Sequence, residues 1–251
     1  MTRIILSGCN GRMGKMITQC VASRDDCEIV AGFDINTESV TYPVYAQPAQ
    51  CDVAADVIID FSHPAMLDSV LAYATAHALP IVIATTGLSD KQLADVRSVA
   101  SQTAVFSSAN MSLGISLLAE LAKKAAAVLG TSFDVEIIEK HHNQKIDAPS
   151  GTALMLADAV KEGLPYSPEY VFDRHAVRKK RDAHEIGFSS IRGGTIVGEH
   201  DVLFAGHEEC ITLSHSATSR GVFAVGAINA ALFLVGKAAG FYTMKDLVAE
   251  N

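Results

Sequence analysis

The stretch that decides the fold is RIILSGCNGRMG, residues 3–14. It opens with a short apolar run, residues 3–7, typical of a parallel strand buried on both faces. Glycines follow at positions 8, 11 and 14, and residues 15–22 continue with apolar side chains at helical spacing. A second apolar run, residues 28–34, ends in an acid. Strand, glycine turn, helix, strand and acid is the order of a dinucleotide-binding βαβ unit.

Each glycine in this turn has an expected structural role. Gly8 and Gly11 would let the backbone approach a pyrophosphate, and the following helix would aim free N–H groups at that anion. Gly14 would permit close packing of helix on strand. Asp34 follows Gly14 by twenty residues, where a carboxylate can accept hydrogen bonds from ribose hydroxyls. The spacing is G-x-x-G-x-x-G rather than G-x-G-x-x-G, so the glycines alone leave a simple tight turn open as an alternative.

The alternation of strand and helix continues through the first half. Strands are predicted at residues 56–61, 80–84 and 104–106, and helices at residues 65–77 and 90–100. This order predicts a Rossmann-like, doubly wound parallel sheet, in which ligands bind beyond the carboxyl ends of the strands. The turns at Gly8, Asp34, Phe61, Thr85 and Ala109 should therefore share one rim.

The second half changes character after a helix at residues 113–129. Period-two strands are predicted at residues 133–139, 186–191, 195–205 and 209–214, with a hairpin turn at Gly193-Gly194. These form an antiparallel or mixed sheet in a second α+β domain. Such a sheet has few helices to cover it, so we expect it to pair with a copy of itself. The last thirty residues are helical and apolar and return to the first domain. The predicted domains are residues 1–112 with 220–251 for the dinucleotide, and residues 113–219 for substrate and oligomerisation.

Composition limits the classes of partner. The 251 residues carry a net charge of -8 with a pI near 5.5, which disfavours nucleic acid and anionic membranes. The basic run at residues 174–185 lacks interleaved aromatics and favours a solvated loop over a nucleic-acid patch. Residues 221–236 are uncharged but shorter than the roughly 20 residues of a membrane span, so they predict a buried helix. Five cysteines without regular spacing and the absence of a signal-peptide pattern favour the cytoplasm.

The stretch EKHHNQKIDAPSGTA, residues 139–153, crowds polar chemistry into a short loop. Pro149 suits the first turn of a helix, whose free N–H groups near Ser150, Gly151 and Thr152 would bind a carboxylate. Lys145 supplies a cation, and His141 or His142 can carry a proton near pH 7. The stretch therefore predicts a site for a small dicarboxylate that receives a proton. Taken alone, it leaves open a metal pair completed by Glu139 or Asp147, two structural histidines, or a lysine that forms a Schiff base.

The same stretch resembles the signature of the dihydrodipicolinate reductase family, roughly E-x-H-H-x-x-K-x-D-x-P-S-G-T-A. All of its fixed positions are present, at Glu139, His141, His142, Lys145, Asp147, Pro149, Ser150, Gly151, Thr152 and Ala153. The resemblance extends along the chain through GRMG at residues 11–14, DFSHP at 60–64, TTG at 85–87, SAN at 108–110, IVGEH at 196–200 and Ser219-Arg220.

This resemblance implies a cytoplasmic enzyme of lysine and diaminopimelate synthesis, usually a homotetramer, that uses NADH or NADPH to reduce dihydrodipicolinate to tetrahydrodipicolinate. It implies that His141 is the general acid/base and Lys145 the proton donor, with no metal. It implies that His142, Ser150, Gly151 and Thr152 bind the substrate carboxylate. The cofactor residues that it implies are Gly8, Cys9, Asn10, Gly11, Arg12, Met13, Asp34, Ala84, Thr85, Thr86, Gly87, Ser108, Ala109, Asn110 and Met111.

One position departs from the family pattern. Many relatives place an arginine directly after the acid, whereas Ile35 and Asn36 follow Asp34 here. Because Asp34 would repel a 2′-phosphate, we expect NADH to be used at least as well as NADPH, although Arg12 and Lys15 would partly compensate. The alternatives are another Rossmann oxidoreductase of amino-acid metabolism and a non-catalytic nucleotide-sensing protein.

Overall fold

Strands and helices alternate from the first residues of the chain, as the apolar runs predict. The computed structural model describes residues 1–38, 41–108, 110–175 and 177–250. The strands in this part of the chain are β1 (Thr2–Ser7), β2 (Cys27–Phe33), β3 (Val44–Tyr45), β4 (Val57–Asp60), β5 (Ile81–Ile83), β6 (Ala104–Ser107), β7 (Asp134–His141), β8 (Glu169–Val171), β9 (Glu185–Arg192), β10 (Gly198–Ala205), β11 (Cys210–Ala217) and β12 (Gly240–Tyr242). The α-helices are α1 (Arg12–Val21), α2 (Leu67–Ala76), α3 (Asp90–Val99), α4 (Leu113–Leu129), α5 (Gly151–Gly163), α6 (Gly221–Leu234) and α7 (Met244–Ala249).

The chain divides into two compact units. Unit 1 comprises Met1–Ser112 and Gly221–Asn251, and unit 2 comprises Leu113–Arg220. The sheet of unit 1 has seven strands in the order β12-β6-β5-β4-β1-β2-β3. All of its strand pairs are parallel, which confirms the doubly wound, Rossmann-like class.

The central strands of unit 1 are buried on both faces, which explains their continuous apolar sequence. Ile4 and Leu6 of β1 pack on one face with residues of α1 and α6, whereas Ile5 packs on the other face with α2. Side chains along a strand alternate between faces, so one strand supplies both cores. The register places Ser7 beside Phe33 and Asp60, and the carboxyl ends of these strands therefore share one rim.

Unit 2 contains a five-stranded mixed sheet in the order β11-β10-β7-β9-β8. Its inner face carries Val135, Ile137, Val202 and Phe204, which form one core with residues of α4 and α5. We call the opposite face the outer face; the register lines up Leu203 of β10 with Thr212 and Glu136 on it. This core includes residues of both α-helices of unit 2 and none of the outer-face residues named here.

Four local predictions were wrong. Gly193-Gly194 does not join a hairpin, because β9 and β10 lie on opposite sides of β7. The loop after β9 instead pairs with the end of β7, through Gly193 N–H to His141 O and Asn143 N–H to Gly194 O. The strand predicted from residue 195 begins at Gly198.

The other two errors concern the start of α5 and the last thirty residues. Helix α5 begins at Gly151 with Ser150 as its N-cap, so Pro149 precedes the cap rather than occupying the first turn. The last thirty residues are not wholly helical, since β12 joins the edge of the parallel sheet beside β6.

The uncharged and the basic runs both have a place in the fold. Residues 221–234 form α6, which is packed in the core of unit 1. Within the described residues, no helix has the length and apolar character to cross a membrane.

In the basic run, Arg174 pairs with Glu185 and Arg181 pairs with Glu136 and Asp134. These arginines are thus bound to the sheet, not merely solvated.

Candidate functional site

The glycine turn of unit 1 has the shape that an anion cradle needs. Gly8 has a φ of +78°, and a Cβ there would overlap the carbonyl group of Phe61. A Cβ at Gly14 would overlap the carbonyl oxygens of Gly8 and Cys9, so α1 packs directly on the turn. Gly11 is the N-cap of α1, no side chain caps this helix, and its first turn, which starts at Arg12 and Met13, holds no acid. A helix N-terminus of this kind favours a bound phosphate.

Asp34 is held beside this turn by backbone donors. Its Oδ2 accepts from the Asn10 N–H at 3.0 Å, and its Oδ1 accepts from the Asn36 N–H at 3.0 Å. The Asn10 side chain donates to the Asn36 and Glu38 carbonyl oxygens at 2.6 and 3.0 Å. The carboxylate is therefore fixed at the end of β2, while Ile35 is 85% exposed.

A buried carboxylate that sequence reasoning missed organises the centre of the rim. Asp60 is fully buried at the end of β4 and accepts from the hydroxyls of Ser62 and Thr85, both at 2.6 Å. The Thr85 side chain thus turns inward, and Thr86 and Gly87 are the exposed residues of this loop. The acid at the end of an apolar strand, in DFSHP, was the available signal.

The remaining predicted cofactor residues lie at or near the rim. Ala84 directly follows β5 and is half-buried, and the Cys9 side chain is buried in the core of unit 1. Burial, reinforced by the charge of Asp34, raises the pKa of the Cys9 thiol to about 11, so this thiol is protonated. In the loop after β6, the Ser108 hydroxyl donates to the Asn110 carbonyl oxygen at 3.1 Å, and Met111 is buried. Ala109 lies outside the described residues.

The polar centre of unit 2 is built around Glu139 on the inner face of β7. This carboxylate is 1% exposed. Its Oε2 lies 2.5 Å from Nδ1 of His141 and 2.8 Å from Nη1 of Arg192. Its Oε1 accepts from Nη2 of Arg192 at 2.7 Å and from the Ser150 N–H at 3.2 Å. One buried carboxylate therefore joins β7, β9 and the start of α5.

Burial and the neighbouring charges in this cluster set the protonation states of Glu139 and His141. Burial would raise the pKa of Glu139, but hydrogen bonds led by those from Arg192 outweigh it and hold that pKa at about 2. Burial lowers the pKa of His141, and the neighbouring charges of Lys145 and Arg192 add to this, against the opposing effect of Glu139. At neutral pH, Glu139 is therefore ionised and His141 is predominantly neutral.

His200 on β10 is a second residue that the sequence reasoning did not assign to the site. It is 4% exposed and lies edge-to-face with His141, with ring centroids 5.1 Å apart. Its Nε2 lies 3.1 Å from the hydroxyl oxygen of Ser150, which also accepts from the Ala153 N–H as the cap of α5. Burial, helped by repulsion from His141 when that ring is protonated, lowers the pKa of His200 to about 4. Its presence in the IVGEH motif was the only sequence signal.

The other predicted substrate residues surround this centre. Lys145 is on the loop after β7, with its Nζ 2.9 Å from Asp147 Oδ1. His142 follows β7 directly and is half-buried, Gly151 is exposed, and Thr152 is half-buried in the first turn of α5. Among the described residues, no group of three or more His, Cys, Asp and Glu side chains is placed to hold a metal ion. The two carboxylates that the metal alternative offered, Glu139 and Asp147, are paired with Arg192 and Lys145.

Comparison with known proteins covers the whole chain. The family model described as "Dihydrodipicolinate reductase, N-terminus" matches residues 2–111, and "Dihydrodipicolinate reductase, C-terminus" matches residues 114–248. The chain is 51% identical to a 4-hydroxy-tetrahydrodipicolinate reductase of Caldanaerobacter subterraneus subsp. tengcongensis and 49% identical to one of Clostridium novyi, in each case over 100% of both chains. The structure is similar to that of a dipicolinate-bound dihydrodipicolinate reductase from Paenisporosarcina sp. TG-14, with a TM-score of 0.80, 26% identity and 97% of each chain covered.

Proposed function

The chain belongs to the dihydrodipicolinate reductase family, and from this premise we propose that it reduces dihydrodipicolinate, derived from 4-hydroxy-tetrahydrodipicolinate, to tetrahydrodipicolinate with a reduced nicotinamide dinucleotide. This reaction belongs to the synthesis of lysine and diaminopimelate. The observation that carries the proposal is the convergence of signature residues at the end of β7 in unit 2, where Glu139 links His141 to the start of α5.

The dicarboxylate site is the start of α5 together with Lys145. Helix α5 has 13 residues and no acid in its first turn, so its N-terminus favours an anion near Gly151 and Thr152. Lys145 adds a full positive charge, which Asp147 balances at 2.9 Å. We infer that a substrate carboxylate replaces Asp147 as the partner of this ammonium group, and that His142 binds the same anion.

The chemistry needs a cation and a proton near the ring. A bound dinucleotide supplies a hydride to C4 of the conjugated cyclic imine, and the ring must then gain a proton at C3. Lys145 would stabilise the developing negative charge and donate that proton. His141, predominantly neutral at pH 7, would serve as the general acid/base of the same site.

Unit 1 fits a dinucleotide by its own geometry. The pyrophosphate would lie in the space that a Cβ would fill at Gly8 and at the acid-free start of α1. The ribose hydroxyls would bond to the fixed carboxylate of Asp34. The residues proposed to line this cofactor are Gly8, Cys9, Asn10, Gly11, Arg12, Met13, Asp34, Ala84, Thr85, Thr86, Gly87, Ser108, Ala109, Asn110 and Met111.

The cofactor preference follows from the surroundings of Asp34. Its carboxylate is negatively charged where a 2′-phosphate would lie, and Ile35 and Asn36 bring no positive charge. We therefore expect kcat/KM for NADH to equal or exceed that for NADPH. Steady-state kinetics with both cofactors test this, and a strong preference for NADPH would refute it.

The assembly and compartment are also proposals. The outer face of the unit 2 sheet, around Leu203 and Ile138, would pair with second copies in a homotetramer. The cysteine pattern supports a cytoplasmic enzyme.

The central experiment follows NADH absorbance after adding the aldol product of pyruvate and aspartate semialdehyde. Lys145→Ala should lose about 100-fold or more in kcat, the lower range for a positioned proton donor, while NADH still binds. Lys161→Ala, at the far end of α5, is the matched control and should keep its activity. Wild-type protein that binds NADH without turnover would favour the nucleotide-sensing alternative, and full activity in Lys145→Ala would point to another acid.

A further inference from the structure

We propose that Glu139 is a positioning residue that fixes the tautomer of His141, with Arg192 holding Glu139 in place, so that the neutral His141 ring presents a lone pair on Nε2 to the substrate. This inference deepens the proposed function and rests on it.

The tautomer follows from the hydrogen-bond inventory of the cluster. An ionised carboxylate can only accept hydrogen bonds, and Glu139 is ionised because both of its oxygens are paired with the Arg192 guanidinium. Nδ1 of His141 lies 2.5 Å from Oε2 of Glu139, so Nδ1 must carry the hydrogen. In the neutral ring, Nε2 then has a lone pair and no hydrogen.

A glycine on β10 avoids crowding of the ring on its Nε2 side. A Cβ at position 198 would lie only 3.2 Å from Nε2 of His141, so the glycine on β10 leaves room for this atom. Neutral His141 can therefore accept a proton or a hydrogen bond at Nε2 but cannot donate there. The proton for the reduced ring must come from another group, which agrees with Lys145 as the donor.

The charged and titratable groups around His141 influence whether its ring is protonated. Glu139 of β7 favours the protonated ring, whereas Arg192 of β9 and Lys145 of the following loop disfavour it. His200 of β10 lies edge-to-face with it, and His215 of β11 stands beside His200 in the register. Both of these histidines have pKa values lowered by burial, so neither adds a positive charge at neutral pH.

Arg192 gives the cluster its rigidity. Its guanidinium holds both oxygens of Glu139 and also donates to the Asp147 carbonyl oxygen at 2.7 Å. Bidentate pairs of this kind fix the orientation of the carboxylate. The same Glu139 accepts from the Ser150 N–H, so the acid/base and the carboxylate-binding end of α5 are set by one group.

The variant Glu139→Gln distinguishes a role of Glu139 in positioning His141 from a role in packing alone. The amide oxygen should replace Oε1, because that position faces two groups that can only donate, Nη2 of Arg192 and the Ser150 N–H. The Oε2 position faces one such donor, Nη1 of Arg192, and the His141 nitrogen, which can switch from donor to acceptor. The amide NH₂ would then face Nδ1 of His141, which must accept from it. His141 would switch to the tautomer with hydrogen on Nε2, and its pKa would fall because a negative charge is lost beside Arg192.

Glu185→Gln is the matched control. Glu185 is also 1% exposed, lies on the neighbouring strand β9, and pairs with Arg174 at 2.5 Å, but no histidine is bonded to it. The tautomer is read from nitrogen-15 NMR of imidazole-labelled protein without substrate, and the His141 signals are assigned by their loss in His141→Asn.

We expect wild-type His141 to carry its hydrogen on Nδ1. Glu139→Gln should move it to Nε2, shift the His141 inflection of the kcat/KM profile to lower pH, and reduce kcat about 100-fold with KM changed only a few-fold. Glu185→Gln should unfold more easily but keep the wild-type tautomer and pH profile.

Two results would overturn the inference: a wild-type ring with hydrogen on Nε2, or a Glu139→Gln protein that keeps the wild-type tautomer and turnover. The first measurement decides the matter even if the variant does not fold. Failure of the wild-type protein to oxidise NADH would instead overturn the proposed function, and the tautomer would still test the role of Glu139.

Discussion

Gly8→Ala tests the cradle of unit 1 most directly, because two separate costs can be read from its position. A side chain at a φ of +78° costs about 1–2 kcal/mol. The new Cβ would also overlap the main chain of Phe61 and Ser62, which cannot rotate away as a side chain would. Overpacking of this kind typically costs a further 1–3 kcal/mol. We therefore expect the free energy of unfolding to fall by about 2–5 kcal/mol.

Gly236→Ala separates the two costs. Gly236 has a φ of +80° in the same unit, but a Cβ there would have nothing within 4 Å, so only the backbone cost of about 1–2 kcal/mol applies. Urea unfolding followed by circular dichroism measures both variants, and NADH titration measures the cradle. Gly8→Ala should bind NADH more weakly, and Gly236→Ala should bind it normally. Equal destabilisation by the two substitutions, with unchanged NADH affinity, would refute the close approach of β1 to the end of β4.

The other predictions concern acid stability, the rim and assembly. His200 has a folded pKa of about 4 against 6.5 for the free side chain, so unfolding takes up a proton between these values. The neutral His200 ring contributes fully to the free energy of unfolding above pH 6.5, and about 3 kcal/mol of this is lost as pH falls towards 4. In denaturant titrations, the free energy of unfolding of His200→Gln should therefore depend less on pH over that window. Thr85→Val removes a 2.6 Å hydrogen bond to the buried Asp60 and should cost about 1.5–3 kcal/mol in the same assay, and a value near zero would contradict the organising role of Asp60. Leu203→Glu places a charge on the outer face and should reduce the sedimentation coefficient, whereas Leu93→Glu, on the exposed side of α3, should leave it unchanged; a Leu203→Glu protein with the wild-type coefficient would exclude this face as the interface.

The order of the central elements in unit 1 was predictable because their strands are buried on both faces. Burial on both faces requires a run of apolar residues such as 57–59, and such runs are visible without any partner. The short strand β12 was not predictable, because three residues at an edge carry no period. The hairpin prediction failed because a local turn signal does not fix which strands pair. Gly193-Gly194 indicates a turn, but the identity of the strands on either side of it depends on where β7 enters the sheet.

The sequence by itself determined the family, the glycine turn and the signature residues, since these depend on residue types at short, fixed spacings. Only the tertiary structure decided which groups control them. Arg192 and His200 are 53 and 61 residues from Glu139 along the chain. Arg192 bonds to Glu139, and His200 packs against His141, because β9 and β10 flank β7 in the sheet. Protonation states depend on distance, burial and opposing charge, and these quantities exist only after strands far apart in sequence have paired.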